Sequence, residues 1–169
     1  QTENFAIVHN GIIENHQRLR QTLTSTGASF TSDIDSEVIP WLWQHESSFE
    51  QDEKQAFLNT VNKLDGAFAI AGIQAEDDKK LWFARRGSPL LLARGKSGVF
   101  TASDALAVAN VADELIYLQE GEWGWTELNN TYIFDAQGQA VAASWEKIPP
   151  MAAATDKGPY THYMLKEIH

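Results

Sequence analysis

The chain has 169 residues, 43% of them hydrophobic, enough to bury the core of one domain. Its formal net charge of −10 argues against a surface that neutralises nucleic-acid phosphates or lies on an anionic membrane, and reads as solubility. There is no cysteine, which excludes a disulfide framework, thiolate metal ligation and a thiol nucleophile supplied by these residues. In chain order, the unbroken apolar run from Phe5 to Val8 predicts a strand, Asn4 to Val8, buried on both faces and leading into His9-Asn10-Gly11. Asn15 can cap a helix running to about Thr26, with Leu19 and Leu23 on its apolar stripe and Gly27 closing it. A short strand is expected near Ser29-Phe30. Asp35 or Ser36 can then cap a helix through Trp43, with Pro40 tolerated in its first turn. A third helix is expected over about Gln51 to Leu64, with Phe57, Val61 and Leu64 facing inward.

From Gly66 the period changes to that of strands. They are expected at Ala67 to Ile73, Leu81 to Arg85, Leu90 to Ala93 and Val99 to Ala102. A short helix from Asp104 to Asn110, capped by Ser103, precedes further strands at Leu115 to Leu118, Glu122 to Glu127, Thr131 to Phe134 and Val141 to Glu146. Pro149-Pro150 ends the regular pattern. Residues 1–148 therefore read as one domain, and 149–169 as its end and a linker. Helices followed by a long antiparallel succession imply an α+β fold. No stretch has the apolar length of a membrane span, and no basic segment leads into an apolar one, so a cytoplasmic protein is expected.

Asn10-Gly11 places a side-chain NH2 next to a backbone N–H, a pair able to hold a developing oxyanion in acyl transfer. On the dipeptide alone, a tight turn is the stronger reading. Its context is Val8-His9-Asn10-Gly11-Ile12-Ile13-Glu14-Asn15, Thr31-Ser32-Asp33-Ile34-Asp35-Ser36-Glu37-Val38, Arg86-Gly87-Ser88-Pro89-Leu90, Thr101-Ala102-Ser103-Asp104 and the tail Asp156-Lys157-Gly158 to Ile168. Together these closely resemble the glutaminase domain of the glutamine–fructose-6-phosphate aminotransferase family, within the class II glutamine amidotransferases. The resemblance runs from His9 to Ile168, and the tail carries the hexosamine-forming signature.

The resemblance implies the four-layer α-β-β-α sandwich of N-terminal-nucleophile hydrolases. It also implies a role for three residues: Asn10 and Gly11 as oxyanion hole, and Asp35 as the carboxylate holding the α-ammonium of glutamine. A helix cap is the competing role for Asp35, and Asp33 the competing candidate. It further implies glutamine as substrate and glutamate as product, with fructose 6-phosphate handled by a separate sugar-isomerase domain. A homodimer is expected, with no cofactor. The family opens with a catalytic cysteine, followed by an Arg-Trp-Ala-Thr-His segment ahead of the His-Asn-Gly strand, and this sequence contains neither. The expectation is a piece of a longer enzyme, lacking its N-terminal strands and inactive by itself. Alternatives are a class II amidotransferase with another acceptor, and a non-catalytic binding domain of the same fold.

Other features point to structure. The histidines at 9, 16, 45, 162 and 169 form no metal-binding spacing; His9 is expected to shape the Asn-Gly turn, and His162 to pack or contact a neighbouring domain. Gly95-Lys96-Ser97 lacks the upstream glycine of a phosphate loop and reads as a hairpin turn, as does Asn129-Asn130-Thr131. Trp123, Trp125 and Trp145 could form a sugar-stacking face, but tryptophan in alternating strands reads first as core.

Overall fold

The structure, a computed structural model, describes residues 1–77, 79–127 and 130–148. Three helices, α1 (His16–Ser25), α2 (Val38–Phe49) and α3 (Glu53–Lys63), lie between the first strand, β1 (Phe5–Ile13), and the second, β2 (Gly66–Gln74). The strands that follow are β3 (Lys80–Arg86), β4 (Leu91–Gly95), β5 (Gly98–Ala102), β6 (Glu114–Tyr117), β7 (Trp123–Glu127), β8 (Asn130–Phe134), β9 (Ala140–Val141) and β10 (Glu146–Lys147). They form a six-stranded sheet in the order β1-β2-β3-β7-β8-β9 and a four-stranded sheet in the order β10-β6-β4-β5. Every pairing is antiparallel.

The layers follow from which faces are apolar. Leu19, Leu23, Trp43 and Phe57 from the helices meet Phe68, Ile70, Trp82 and Trp123 on one face of the larger sheet. Trp43 sits at its centre, edge-on to Phe57 at 4.9 Å and to Trp82 at 6.0 Å between ring centroids. On the other face, Ala69, Phe83 and Ile133 meet Leu90, Leu92, Ile116 and Leu118 from the smaller sheet. β2 is thus apolar on both sides, because it separates two cores. The outer face of the smaller sheet, with Leu91, Ala93 and Leu115, is covered by Val108 and Ala112. The expected α+β sandwich is present. Among the described residues, its last layer is the segment around a 3-10 turn, Ala105–Ala107, rather than an α-helix.

Several local expectations are corrected. β1 runs on through Asn10-Gly11 to Ile13, and Val8 is 67% exposed, so this strand is not covered on both faces. Ser29-Phe30 is not a strand. α1 closes at Gly27, whose φ of +102° suits the turn in which Ala28 N–H donates to Leu23 O and Gly27 N–H to Thr24 O. Asn15 precedes this helix without capping it; its side chain donates to Lys63 O and accepts from Asp65 N–H. α2 starts after a 3-10 turn, Asp35–Glu37, so neither Asp35 nor Ser36 caps it. Asp104, not Ser103, caps the second 3-10 turn by accepting from Leu106 N–H at 2.7 Å.

The expected strand Val141 to Glu146 is two short strands in different sheets, β9 on β8 and β10 on β6. Lys96-Ser97 is a hairpin turn between β4 and β5, as expected. The family-like tail, His162 and the linker lie outside the described residues.

Candidate active site

Among the described residues, β1 is the edge of its sheet, paired to β2 on one side. Asn10 stands opposite Ala69 and Gly11 opposite Phe68, so the dipeptide is strand, not turn. Gly11 is required there: its φ is +125°, and a Cβ would lie 2.1 Å from Ala67 O. Side chains alternate along a strand, which puts Asn10 on the same face as Val8 and Ile12, toward the second sheet. A cleft of about 140 Å³ opens on that face, lined by Asn10, Ala69, Ala71, Pro89, Leu90 and the stretch Thr101–Ser103. The family-like segments Ser88-Pro89-Leu90 and Thr101-Ala102-Ser103, far apart in sequence, therefore meet beside Asn10. The loop carrying Pro89 is held by Glu120, whose carboxylate accepts from Gly87 N–H at 2.9 Å.

Backbone groups of an antiparallel ladder alternate between neighbour and open edge. Ile13 N–H leaves the open edge and donates to Asp35 Oδ2 at 2.7 Å. By the two-residue period, Gly11 N–H faces the same edge, about 7 Å from Ile13 N–H. Asp35 therefore marks one end of a stretch of open edge, and Gly11 N–H the other.

The Asp35 turn is fixed from several directions. Asp35 Oδ1 accepts from Ser36 N–H at 2.8 Å and from Ser36 Oγ at 3.4 Å. His9 Nδ1 lies 2.7 Å from Ser36 Oγ. Glu37 holds the loop from behind: its carboxylate accepts from the N–H and hydroxyl of both Thr31 and Ser32, at 2.7 to 2.9 Å. Burial pushes the Glu37 carboxyl up, but these four hydrogen bonds outweigh it and bring its pKa to about 2. For Asp35, desolvation likewise acts upward and is outweighed by the N–H groups of Ile13 and Ser36, with His9 and the Ser36 hydroxyl adding to them. Asp35 is held as a carboxylate. Burial pushes the His9 ring below its ordinary pKa, against the pull of Asp35, so the ring is neutral at physiological pH.

Of the residues singled out from sequence, Asn10, Gly11 and Asp35 share one region, with Asn10 on the cleft face and Asp35 at the open edge. Asp33 is exposed and lies beside His16 and Arg20 of α1. His9 binds Ser36 instead of shaping a turn. The sequence offers Ser36 only as a helix cap and does not single out Glu37; only the family-like stretch that contains them signals their roles. Trp123 is 1% exposed in the helix-side core, and the half-buried Trp125 packs on that core. Trp145 packs on the inter-sheet core, with Arg94 over its ring at 4.4 Å. Among the described residues, no three His, Cys, Asp or Glu side chains converge as metal ligands, and no helix is long and apolar enough to cross a membrane. A larger cavity, about 560 Å³, lies elsewhere, between the Asn4-Phe5 end of β1 and Gln44, Ser47 and Glu50, and contains no motif residue.

The model of the glutamine amidotransferase domain matches residues 1–110. The chain belongs to the glutamine amidotransferase family. It is 41% identical over 168 residues to the glutamine–fructose-6-phosphate aminotransferase (isomerizing) of Pseudomonas aeruginosa, covering 99% of this chain and 28% of that protein. To the protein of the same name from Pseudomonas putida it is 43% identical over 164 residues, covering 97% and 27%. The chain thus spans little more than a quarter of the length of these curated relatives. Among solved structures, this glutamine amidotransferase resembles the glutamine phosphoribosylpyrophosphate amidotransferase of B. subtilis, with a TM-score of 0.62 and 21% identity, over 90% of this chain and 30% of that one. A glutamine aminotransferase class-II domain protein from Silicibacter pomeroyi gives 0.53 at 18% identity, over 86% and 68%. Both share its fold.

Proposed function

We propose that these residues are the glutaminase part of a glutamine–fructose-6-phosphate aminotransferase, releasing ammonia from glutamine for transfer to the sugar phosphate. The observation that carries the reading is the open edge of β1. Glutamine from its amine nitrogen to its carboxamide oxygen spans five covalent bonds, about 6 Å extended. The edge offers a carboxylate held at Ile13 N–H and a further N–H, that of Gly11, about 7 Å along the strand from Ile13 N–H. Asp35 takes the α-ammonium through a charge-assisted hydrogen bond, and a carboxylate with about four acceptor sites has room for one beside Ile13 and Ser36. The carboxamide then lies at Gly11 N–H, where the Asn10 side chain reaches it from the cleft face. These two donors stabilise the oxyanion that forms when a thiolate attacks the carboxamide carbon.

The nucleophile is not among the 169 residues; the family resemblance assigns it to a cysteine ahead of them. The names of the relatives at 41% and 43% identity support fructose 6-phosphate as the acceptor. It is bound outside this chain, in a sugar-isomerase domain of a cytoplasmic, homodimeric enzyme. Residues 1–148 form part of the amidotransferase domain and 149–169 lead toward that second domain.

The test is glutamate release by the full-length polypeptide. Asn10→Ala lowers kcat about 10²–10³-fold with little change in KM, because the oxyanion exists only in the transition state. Asp35→Asn mainly raises KM. An Asn10→Ala enzyme with full kcat, or an Asp35→Asn enzyme with unchanged KM, removes the corresponding residue from the site. The 169-residue chain alone turns over no glutamine, and turnover by pure material would overturn the assignment of the nucleophile.

A further inference from the structure

The Ser36 hydroxyl bridges two groups that lie apart in the sequence. Oγ lies 2.7 Å from His9 Nδ1 and 3.4 Å from Asp35 Oδ1, and the Ser36 N–H donates to the same carboxylate oxygen at 2.8 Å. Whichever of Oγ and Nδ1 donates in the short contact, one hydrogen bond joins the ring to the turn. His9 Nε2 is buried without a partner among the described residues. The chain of contacts therefore runs from His9 Nδ1 through Ser36 to Asp35 Oδ1.

The two ends of this chain straddle the oxyanion donors. His9 precedes Asn10 in β1, and Ile13, the other tie to Asp35, lies two residues beyond Gly11. The Asp35-Ser36 turn is thus fastened to β1 on both sides of Asn10-Gly11. Two ties at 2.7 Å fix the distance between the carboxylate and the Gly11 N–H, where one tie would leave the turn free to pivot.

We propose that His9 and Ser36 are positioning residues that fix the Asp35 carboxylate relative to the Asn10-Gly11 oxyanion donors, and so match the site to the length of glutamine. This rests on the substrate role of Asp35 proposed above. His9 acts on the carboxylate through Ser36, to which its Nδ1 is joined at 2.7 Å. Shorter and longer amino-acid amides are discriminated by that fixed separation, since a carboxylate free to pivot would follow the ammonium of either.

The test uses glutaminase kinetics of the full-length polypeptide. Ser36→Ala raises the KM for glutamine about ten-fold, the worth of one hydrogen bond to a charged group, while kcat changes less than about three-fold. Ser36→Thr keeps the hydroxyl and recovers the lower KM. His9→Asn, whose amide nitrogen stands near the Nδ1 position, keeps KM lower than His9→Gln, whose amide reaches only toward Nε2. The double variant Ser36→Ala/His9→Gln is no worse than the worse single variant, because both break one chain of bonds. The same variants narrow the preference for glutamine over asparagine.

If Ser36→Ala and His9→Gln lower only the melting temperature and leave KM unchanged, the positioning role is overturned, even where Asp35→Asn raises KM. Equal KM for His9→Asn and His9→Gln, or additive effects in the double variant, overturns it as well. An unchanged KM in Asp35→Asn marks a different failure, that of the substrate site itself, and the positioning role falls with it. Should a His9 variant fail to fold, the Ser36→Ala and Ser36→Thr pair still decides.

Discussion

Glu37 contacts neither the cleft nor the open edge of β1, yet the geometry of the Asp35 turn depends on it. Its four hydrogen bonds to Thr31 and Ser32 close the loop that presents Asp35, and Arg20 stands 3.9 Å from the same carboxylate. Its pKa falls from 4.5 to about 2, so the folded state favours the charged form. The stability this supplies is fully present above pH 4.5 and is lost as pH falls toward 2. Glu37→Gln should cost on the order of 1–3 kcal/mol at pH 7. In denaturant melts the gap from wild type should close as pH drops through that window; a gap independent of pH would show that packing, not charge, is lost.

Gly11→Ala is the harsher change at this scale. A Cβ at φ +125° and 2.1 Å from Ala67 O forces β1 away from β2, at an expected cost of about 2–4 kcal/mol. Chemical denaturation measures it, and a loss under about 1 kcal/mol would mean the strand relaxes freely.

At the scale of elements, the weak point is β1. Nine residues pair on one side, and Val8 and Ile12 are 67% and 66% exposed. Exposed apolar strands at a sheet edge recruit other strands. The 169-residue chain should therefore self-associate in a concentration-dependent way, and Val8→Lys with Ile12→Lys should suppress this in sedimentation runs without lowering stability. A monomeric wild-type chain with a single sharp melt would show that the edge is protected.

The same strand marks the limit of what sequence shows. α1 and α3 could be read from the local spacing of Leu19 and Leu23 and of Phe57, Val61 and Leu64, because a helix and its caps are short-range. Asn10-Gly11 read as a turn, because dipeptide preference is local while its pairing with Phe68 and Ala69 is not. The tie between His9 and Ser36 spans 27 residues and has no periodic signature. The break between β9 and β10 was hidden for a similar reason: which sheet a two-residue strand joins is decided by its partners, β8 and β6, and not by its own composition.

For the molecule as a whole, the arrangement ties one site to two cores. The helix-side core seats the Asp35 turn, since Val38 and Ile39, directly after it, are 0% and 1% exposed. The inter-sheet core seats Leu90 and Ala69 beside Asn10. The family-like segments were legible as motifs, but their meeting at one cleft was not, because it depends on the stacking of the two sheets.

The order of the chain adds a consequence in time. β1 has no sheet partner among the described residues except β2, and Ile13 pairs with Gly66. On a ribosome adding roughly 5–20 residues per second, β1 leaves the tunnel several seconds before the strand that pairs with it. The three helices made in between have 10 to 12 residues each, too short to persist without a sheet to lie on. Residues 1–65 therefore gain β2 as a partner only after it has been made, and the Phe5-Ala6-Ile7-Val8 run is open on that side to chaperones throughout that wait.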